Sequence, residues 1–320
     1  MQKPLQLTNC CCKLRNVFIA CIVLVLMDVS ARAQALTPYM IVLGTAQDGG
    51  YPHAGCQKKC CASAWNNDSL RSYTVSLALV DPQSKKWWLF EATPDIKYQL
   101  QYFRTLTDSQ YAYLPSGIFI THAHIGHYTG LAQLGREVMN TKEMPVYALP
   151  RMAAFLQTNG PWSQLVSLKN ISISRLFTHA GQLLNDRIVV ESFTVPHRDE
   201  YSETAGFRIK AGKRTYLFIP DIDKWEKWDK NLVEEVKAVD VAFLDATFSD
   251  EGELPERKMS EVPHPFVSET LLLFKGEEES VKNKLHFIHF NHTNPLLWDE
   301  KAIEQFESTG ANLAQQGDEL

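Results

Sequence analysis

The chain has 320 residues, of which 45% are hydrophobic, 11% aromatic and 22% charged, proportions that exclude a disordered, fibrous or multi-span membrane protein. A formal net charge of −5 leaves no basic footprint for nucleic acid, so no nucleic-acid partner is expected. The length suits one large domain or two small ones.

Residues 1–35 read as a secretory signal peptide. Lys3, Lys13 and Arg15 precede the 11-residue apolar run Val17–Met27, and Ala33-Gln34-Ala35 supplies small residues at A-x-A spacing. The run is short of the roughly 20 residues that span a bilayer, so no stable membrane anchor is expected after cleavage. Removing Lys3, Lys13, Arg15, Asp28 and Arg32 takes the net charge from −5 to −8. The remainder, 36–320, has no Gly/Ser-rich linker and reads as one domain, periplasmic or secreted.

Strand signals then alternate with helical ones. Met40–Gly44, Val75–Val80 and Trp87–Glu91 read as strands, the last two as a hairpin around Asp81-Pro82. Ile118–Ile120 leads into Thr121-His122-Ala123-His124-Ile125-Gly126-His127, and Thr129–Val138 predicts a helix. Ile188–Phe193, Ala205–Ile209, Thr215–Ile219, Val241–Asp245 and Leu285–His289 predict further strands, with a helix over Asn231–Val239. Such alternation indicates an α/β protein with sheets covered by helices.

The histidine cluster carries the chemistry. Residues two apart in an extended chain point the same way, so His122 and His124 can reach one ion, while His127, at the turn into the predicted helix, suits another. A helix N-terminus disfavours protonated imidazole, and neutral imidazole is the metal-binding form. His197, Asp221, His289 and His292 also follow apolar strands, where loops on rigid elements commonly hold ligands. His53, His179 and His286 carry no motif. Asp48-Gly49-Gly50 reads as a turn lining the site mouth.

The order His-x-His-x-x-His, Pro196-His197, Pro220-Asp221 and a late histidine resembles the metallo-β-lactamase superfamily. Gly44–Pro52, Ala92–Asp95, Pro263–Val267 and His289–Pro295 are similar to the pyrroloquinoline quinone biosynthesis protein B family, and the chain also resembles the cyclic phosphodiesterases of phosphonate degradation. The resemblance implies a four-layer αββα sandwich. It implies that His122, His124 and His197 hold one ion, that Asp221 bridges, that His127 and His289 help hold a second, and that His264 protonates a leaving group. One position departs: the family pattern has aspartate where this chain has Gly126, which removes a hard ligand of the second ion. Asp95, Glu91, Asp223 or a water is expected to replace it.

After loss of the leader only Cys56, Cys60 and Cys61 remain, and three cysteines cannot all pair within one chain. Either one is free beside a Cys60/Cys61 or Cys56/Cys60 disulfide, or all three are metal ligands. The phosphodiesterase resemblance implies a structural zinc held with His292, a closed Cys3His site.

The expected function is metal-assisted hydrolysis of an ester, lactone or phosphodiester of small-molecule size, with zinc, or manganese or iron in its place. Two other readings stand beside it: an iron-dependent oxidation of the kind the cofactor-biosynthesis resemblance implies, and a protein that binds a ligand on this scaffold without turning it over.

Overall fold

The computed structural model describes residues 36–256, 258 and 261–320; the expected signal segment 1–35 lies outside them. Two sheets form. The first has six strands in sequential order: β1 (Tyr39–Gly44), β2 (Ser76–Asp81), β3 (Lys86–Phe90), β4 (Ile118–Phe119), β5 (Met144–Ala148) and β6 (Ile171–Arg175). The second has seven, β7 (Gly181–Asn185), β8 (Ile188–Val195), β9 (Thr204–Ala211), β10 (Arg214–Ile219), β11 (Val241–Asp245), β12 (Leu285–Ile288) and β13 (Asn312–Leu313), again in sequential order. Each begins as an antiparallel meander and ends in parallel pairs, β3 to β6 in one sheet and β10 to β13 in the other. The expected hairpin is β2–β3, paired from Leu77↔Phe90 to Asp81↔Lys86.

The central strands are apolar runs because both faces are covered. Along β1, Met40 and Val42 enter the layer between the sheets, while Ile41 and Leu43 enter the layer under the helices, as a period of two requires. Helix Ile96–Leu106 covers that outer face with Ile96, Leu100 and Phe103, and helix Pro150–Thr158 with Met152, Ala153 and Leu156. Helices Leu232–Lys237, Val267–Leu273 and Glu300–Glu307 cover the other sheet through Leu232, Val236, Val267 and Phe306. The result is helix, sheet, sheet, helix, the expected αββα sandwich.

Between the sheets, Phe90 stacks on Phe119 at 4.8 Å, and both meet Phe207 edge-on at 5.5 and 5.6 Å. Each such pair adds about 0.5–1.5 kcal/mol beyond burial. This aromatic knot joins β3 and β4 to β9, and β3 and β4 lead directly into Glu91 and the 122–127 cluster.

The helix expected over Thr129–Val138 does not form as one element. A short α-turn, Ile125–Tyr128, runs into a 3-10 turn, Thr129–Leu134. The Gly130 N–H donates to Ala92 O at 2.8 Å, and a Cβ there would lie 2.1 Å from Thr93 O. The segment is drawn against the end of β3 at a distance only glycine permits. The helix expected over Asn231–Val239 forms as Leu232–Lys237, with the Asn231 side chain capping Val233 and Glu234 N–H. Among the described residues no helix is long and apolar enough to cross a membrane.

Candidate metal centre

The loops that follow β1, β3, β4, β8, β10, β11 and β12 converge at one edge of the sandwich. With the last residue of β11, Asp245, they bring Asp48, Glu91, the 122–127 cluster, His197, Asp221 and His289 together. His124 is extended, at φ −96° and ψ 146°, which lets it and His122 share a side of the chain. Ser202 Oγ accepts from Ala123 N–H at 2.9 Å and ties this turn to the loop after β8. Glu91 and His289 are fully buried non-glycine residues with φ of +73° and +70°, backbone strain of the kind that collects at functional sites.

His122, His124, His197 and Asp221 form one group, its ligand atoms all within 4.8 Å of one another. Asp221 Oδ2 lies 3.1 Å from His197 Nε2, 3.3 Å from His122 Nε2 and 3.9 Å from His124 Nδ1. His124 Nδ1 and His197 Nε2 are 3.2 Å apart. Two nitrogens on one tetrahedral zinc are separated by about 3.3–3.4 Å, given bonds of about 2.0–2.1 Å. His122 Nδ1 sits 2.8 Å from Thr121 Oγ1, while Nε2 is buried without a hydrogen-bond partner. The donors therefore fit a cation.

His127, His289 and Asp48 form a second group. His127 Nε2 lies 3.7 Å from Asp221 Oδ2 and 3.8 Å from Asp48 Oδ1. His127 Nε2, His289 Nε2 and Asp48 Oδ1 are all buried without hydrogen-bond partners. Such atoms are costly in a protein interior unless something unseen satisfies them. Thr247 Oγ1 lies 2.9 Å from His289 Nδ1 and orients that ring.

None of the acids expected to replace the missing aspartate stands in its place. Asp95 accepts from Thr74 N–H at 2.9 Å and Thr74 Oγ1 at 3.0 Å, so it clamps the chain beside Asp48. Glu91 lies behind His127, 3.4 Å from Nδ1, and accepts from Thr121 N–H at 3.3 Å. Asp223 lies behind His197, 3.3 Å from Nδ1, and holds Lys227 at 2.9 Å. Carboxylates in these rear positions orient a ligating imidazole and raise its basicity. Glu91→Gln is accordingly expected to weaken the second site roughly 10–100-fold. Metal titration of the folded variant checks this, and an unchanged affinity would leave Glu91 a purely structural role.

The electrostatics follow from these neighbours. Burial and His127 hold His122 well below the ordinary imidazole value. Burial also opposes charge on His127, but Glu91, Asp48 and Asp221 outweigh it and raise the group. The helix-terminus effect expected to keep His127 neutral is thus overridden, because the helix is only four residues long and three carboxylates face the ring. Burial lowers His197, yet Asp221 and Asp223 lift it to about 9. Asp221 is itself held well below the usual carboxylate range: burial opposes ionisation, but His197 and His264 prevail.

His264 comes to the same edge. Its Nδ1 is 2.9 Å from Asp245 Oδ2 and 3.2 Å from Asp221 Oδ1. Against burial, these carboxylates raise it to about 10. Asp245 has no role in the sequence reading, although it ends an apolar strand and meets His264 much as Asp221 follows one and meets His197.

Cys56, Cys60, Cys61 and His292 form a separate cluster. The sulfurs are unpaired, with Cys56 and Cys60 Sγ 3.7 Å apart and Cys60 and Cys61 Sγ 3.9 Å apart. Two thiolates on one tetrahedral zinc lie about 3.8 Å apart, from Zn–S bonds of about 2.3 Å. His292 Nδ1 is 3.0 Å from Asn291 Oδ1, and burial, with His53 and Lys58 adding to it, pushes the imidazole down to about 4. It is a neutral donor at ordinary pH. His53, without a motif, stacks on His292 at 4.3 Å between ring centroids.

A cleft of about 500 Å³ opens beside the first group, lined by His124, Ile125, Phe155, Trp162, Arg198 and Tyr201 among others. It is aromatic, with one guanidinium near the histidines.

Comparison with known proteins bears on the fold and the family. The chain is 24% identical over 307 residues to coenzyme PQQ synthesis protein B of Methylorubrum extorquens strain PA1, covering 87% of this chain and 98% of that one. The crystal structure of zinc-bound PqqB from Methylobacterium extorquens superposes with a TM-score of 0.70 at 21% identity, covering 88% of this chain and 99% of that one. A diphosphatase of the PhnP family gives a TM-score of 0.61 at 21% identity, with 88% and 96% covered. The model of the beta-lactamase superfamily domain matches residues 86–312, more than half of the sequence, and the chain belongs to that family.

Proposed function

We propose that the chain is a PqqB-like metal-dependent hydrolase acting on a small ester, lactone or phosphodiester. One observation carries the reading: imidazoles from three separate loops, His122 and His127, His197, and His264, converge on a single buried carboxylate, Asp221, and the Nε2 atoms of His122 and His127 are unsatisfied by protein. His122, His124, His197 and Asp221 hold one ion. His127 and His289 help hold a second, with Asp221 shared. Zinc is the expected ion, as in the PqqB relative, with manganese or iron as alternatives. A divalent ion supplies Lewis acidity, making water nucleophilic near neutral pH and stabilising negative charge on a substrate oxygen.

The remaining steps belong to the chain. Glu91 and Asp223 fix the His127 and His197 rings. His264, with Nδ1 held by Asp245, carries on Nε2 the proton for the leaving group. Arg198 and the aromatic cleft select a small substrate with an anionic group beside an apolar one. A diphosphatase among the structural relatives supports hydrolysis of a phosphate-containing bond. We extend the proposal to the leader: 1–35 is removed on export, 36–320 acts as a single domain, and a Cys3His zinc closes its start.

The test is His124→Ala in the purified protein. Hydrolysis of an aryl phosphodiester and ester panel is expected to fall roughly 1,000-fold or more, with catalytic-edge metal lost while the cysteine-bound ion stays. Unchanged turnover would remove the mechanism. Tightly bound iron with oxygen uptake and no hydrolysis by the native protein would replace it with the oxidative reading.

A further inference from the structure

We propose that Asp48 is a ligand of the second metal ion, reaching across from the loop after β1 into the space that Gly126 leaves open, and that Gly126 is small so that it can. The inference rests on the metal-centre reading above and adds a residue that the His-x-His-x-x-His segment does not contain.

Two independent observations meet here. A Cβ built on Gly126 would lie 2.4 Å from Asp48 Oδ1 and 2.5 Å from Asp48 Cα, so any side chain at 126 would compete for the volume Asp48 fills. The same Oδ1 is buried without a hydrogen-bond partner and lies 3.8 Å from the equally unpartnered His127 Nε2. With His289 these atoms fall within 4.8 Å of one another. A carboxylate oxygen left bare between two bare imidazole nitrogens is a cation site in its donor chemistry: hard oxygen and borderline nitrogen, the mix that zinc, manganese and iron accept. The Asp48 side chain keeps 31% of its surface exposed and borders the 500 Å³ cleft, so the site has an open side.

The loop is built to hold the carboxylate still. Gln47 N–H donates to Phe290 O at 2.8 Å and Phe290 N–H to Thr45 O at 2.9 Å, which stitches the loop to the residue after His289. Gly50 N–H closes a turn onto Gln47 O at 2.9 Å, with Gly50 at φ +70°, a conformation that favours glycine. Thr74, held by Asp95, donates to Asp48 O at 3.4 Å. The turn motif Asp48-Gly49-Gly50 therefore places a ligand as well as bordering the mouth of the site. The acid has moved from one loop to another, and the second site keeps its carboxylate.

The experiment is a swap read by metal stoichiometry in the full folded protein, with cobalt(II) as the probe. Its thiolate charge-transfer band reports the cysteine cluster separately from the histidine edge. Asp48→Asn is expected to lose one equivalent at the histidine edge, weakened roughly 100-fold or more, while the first ion stays. Gly126→Asp alone forces two carboxylates together and is expected to lose the same equivalent. Asp48→Gly combined with Gly126→Asp is expected to restore it. Full cobalt stoichiometry in Asp48→Asn, or a double variant no better than either single one, would overturn the assignment. If the native protein binds no cobalt at the histidine edge, the metal-centre reading itself fails; if it binds one ion and Asp48→Asn does not change it, only the Asp48 assignment fails.

Discussion

Asp221→Ala is expected to abolish turnover and strip both ions from the histidine edge, the largest functional loss of any single substitution in the chain. Its Oδ2 lies near both groups, 3.1 Å from His197 Nε2 and 3.7 Å from His127 Nε2. Its Oδ1 reaches His264 at 3.2 Å, so the same side chain also touches the proton donor. Losing one preorganised charge contact at a reacting centre typically costs about 100–1,000-fold, and Asp221 serves three functions, so a fall beyond about 1,000-fold is expected. Asp221→Asn separates charge from shape: it keeps the size but removes the anion that raises His197 and, together with Asp245, His264. Elemental analysis beside a circular dichroism spectrum is the check. Native metal content in a folded Asp221→Ala protein would refute the shared role.

The same carboxylate shows which parts of the site are legible in sequence. Asp221 and His197 each follow an apolar strand by a residue or two, and the strand ends put such positions on one edge. His122 and His124 are legible for the same reason, since an extended chain fixes their common direction. Asp48 is not. It lies 78 residues before Gly126 in a loop whose path depends on bonds to Tyr73, Thr74 and Phe290, all distant in sequence. Proximity of that kind is created by packing and leaves no local period. Glu91 and Asp223 are recognisable as nearby acids, but whether an acid faces the ion or stands behind a histidine is a matter of a few ångströms, settled by which imidazole nitrogen it meets.

The fold divides along similar lines. Strands largely buried on both faces, β1, β2, β3 and β9 to β12, announce themselves as apolar runs, and β8 does so with one face fully buried. β5 carries Pro145, β6 alternates with serine, and β7 is a half-exposed edge strand, so none rises above its surroundings. The 129–138 segment has a helical pattern in sequence, but contact of Gly130 with the end of β3 decides its geometry. The sheet-edge placement of the site then explains its rigidity: the Phe90, Phe119 and Phe207 cluster locks the two sheets directly behind the residues that must converge.

Cys61→Ser is expected to cause the largest loss of stability. Cys61 is fully buried in a small cluster of its own with Ala46, Tyr51, Cys60 and Ala64, in the segment between β1 and β2. Tyr51 Oη donates to Cys60 O at 2.5 Å, and the cysteines reach His292 beyond β12. An ion there joins the start of the folded chain to its last parallel strands, and structural zinc of this kind contributes free energy of order 10 kcal/mol to the fold it closes. Losing even about 3–5 kcal/mol of that lowers a melting temperature by on the order of 10 °C. Ala46 lies within the segment that carries Asp48, so the substitution is also expected to loosen the second ion at the histidine edge. Calorimetry with and without a chelator reads the first effect, and cobalt titration the second. The sulfur separations of 3.7 and 3.9 Å suit thiolates around a cation, whereas a disulfide requires about 2.05 Å. Mass spectrometry after alkylation decides between them: all three cysteines alkylated once the chelator is present supports the zinc, and a Cys56–Cys60 disulfide in a metal-free, fully stable protein would sink it.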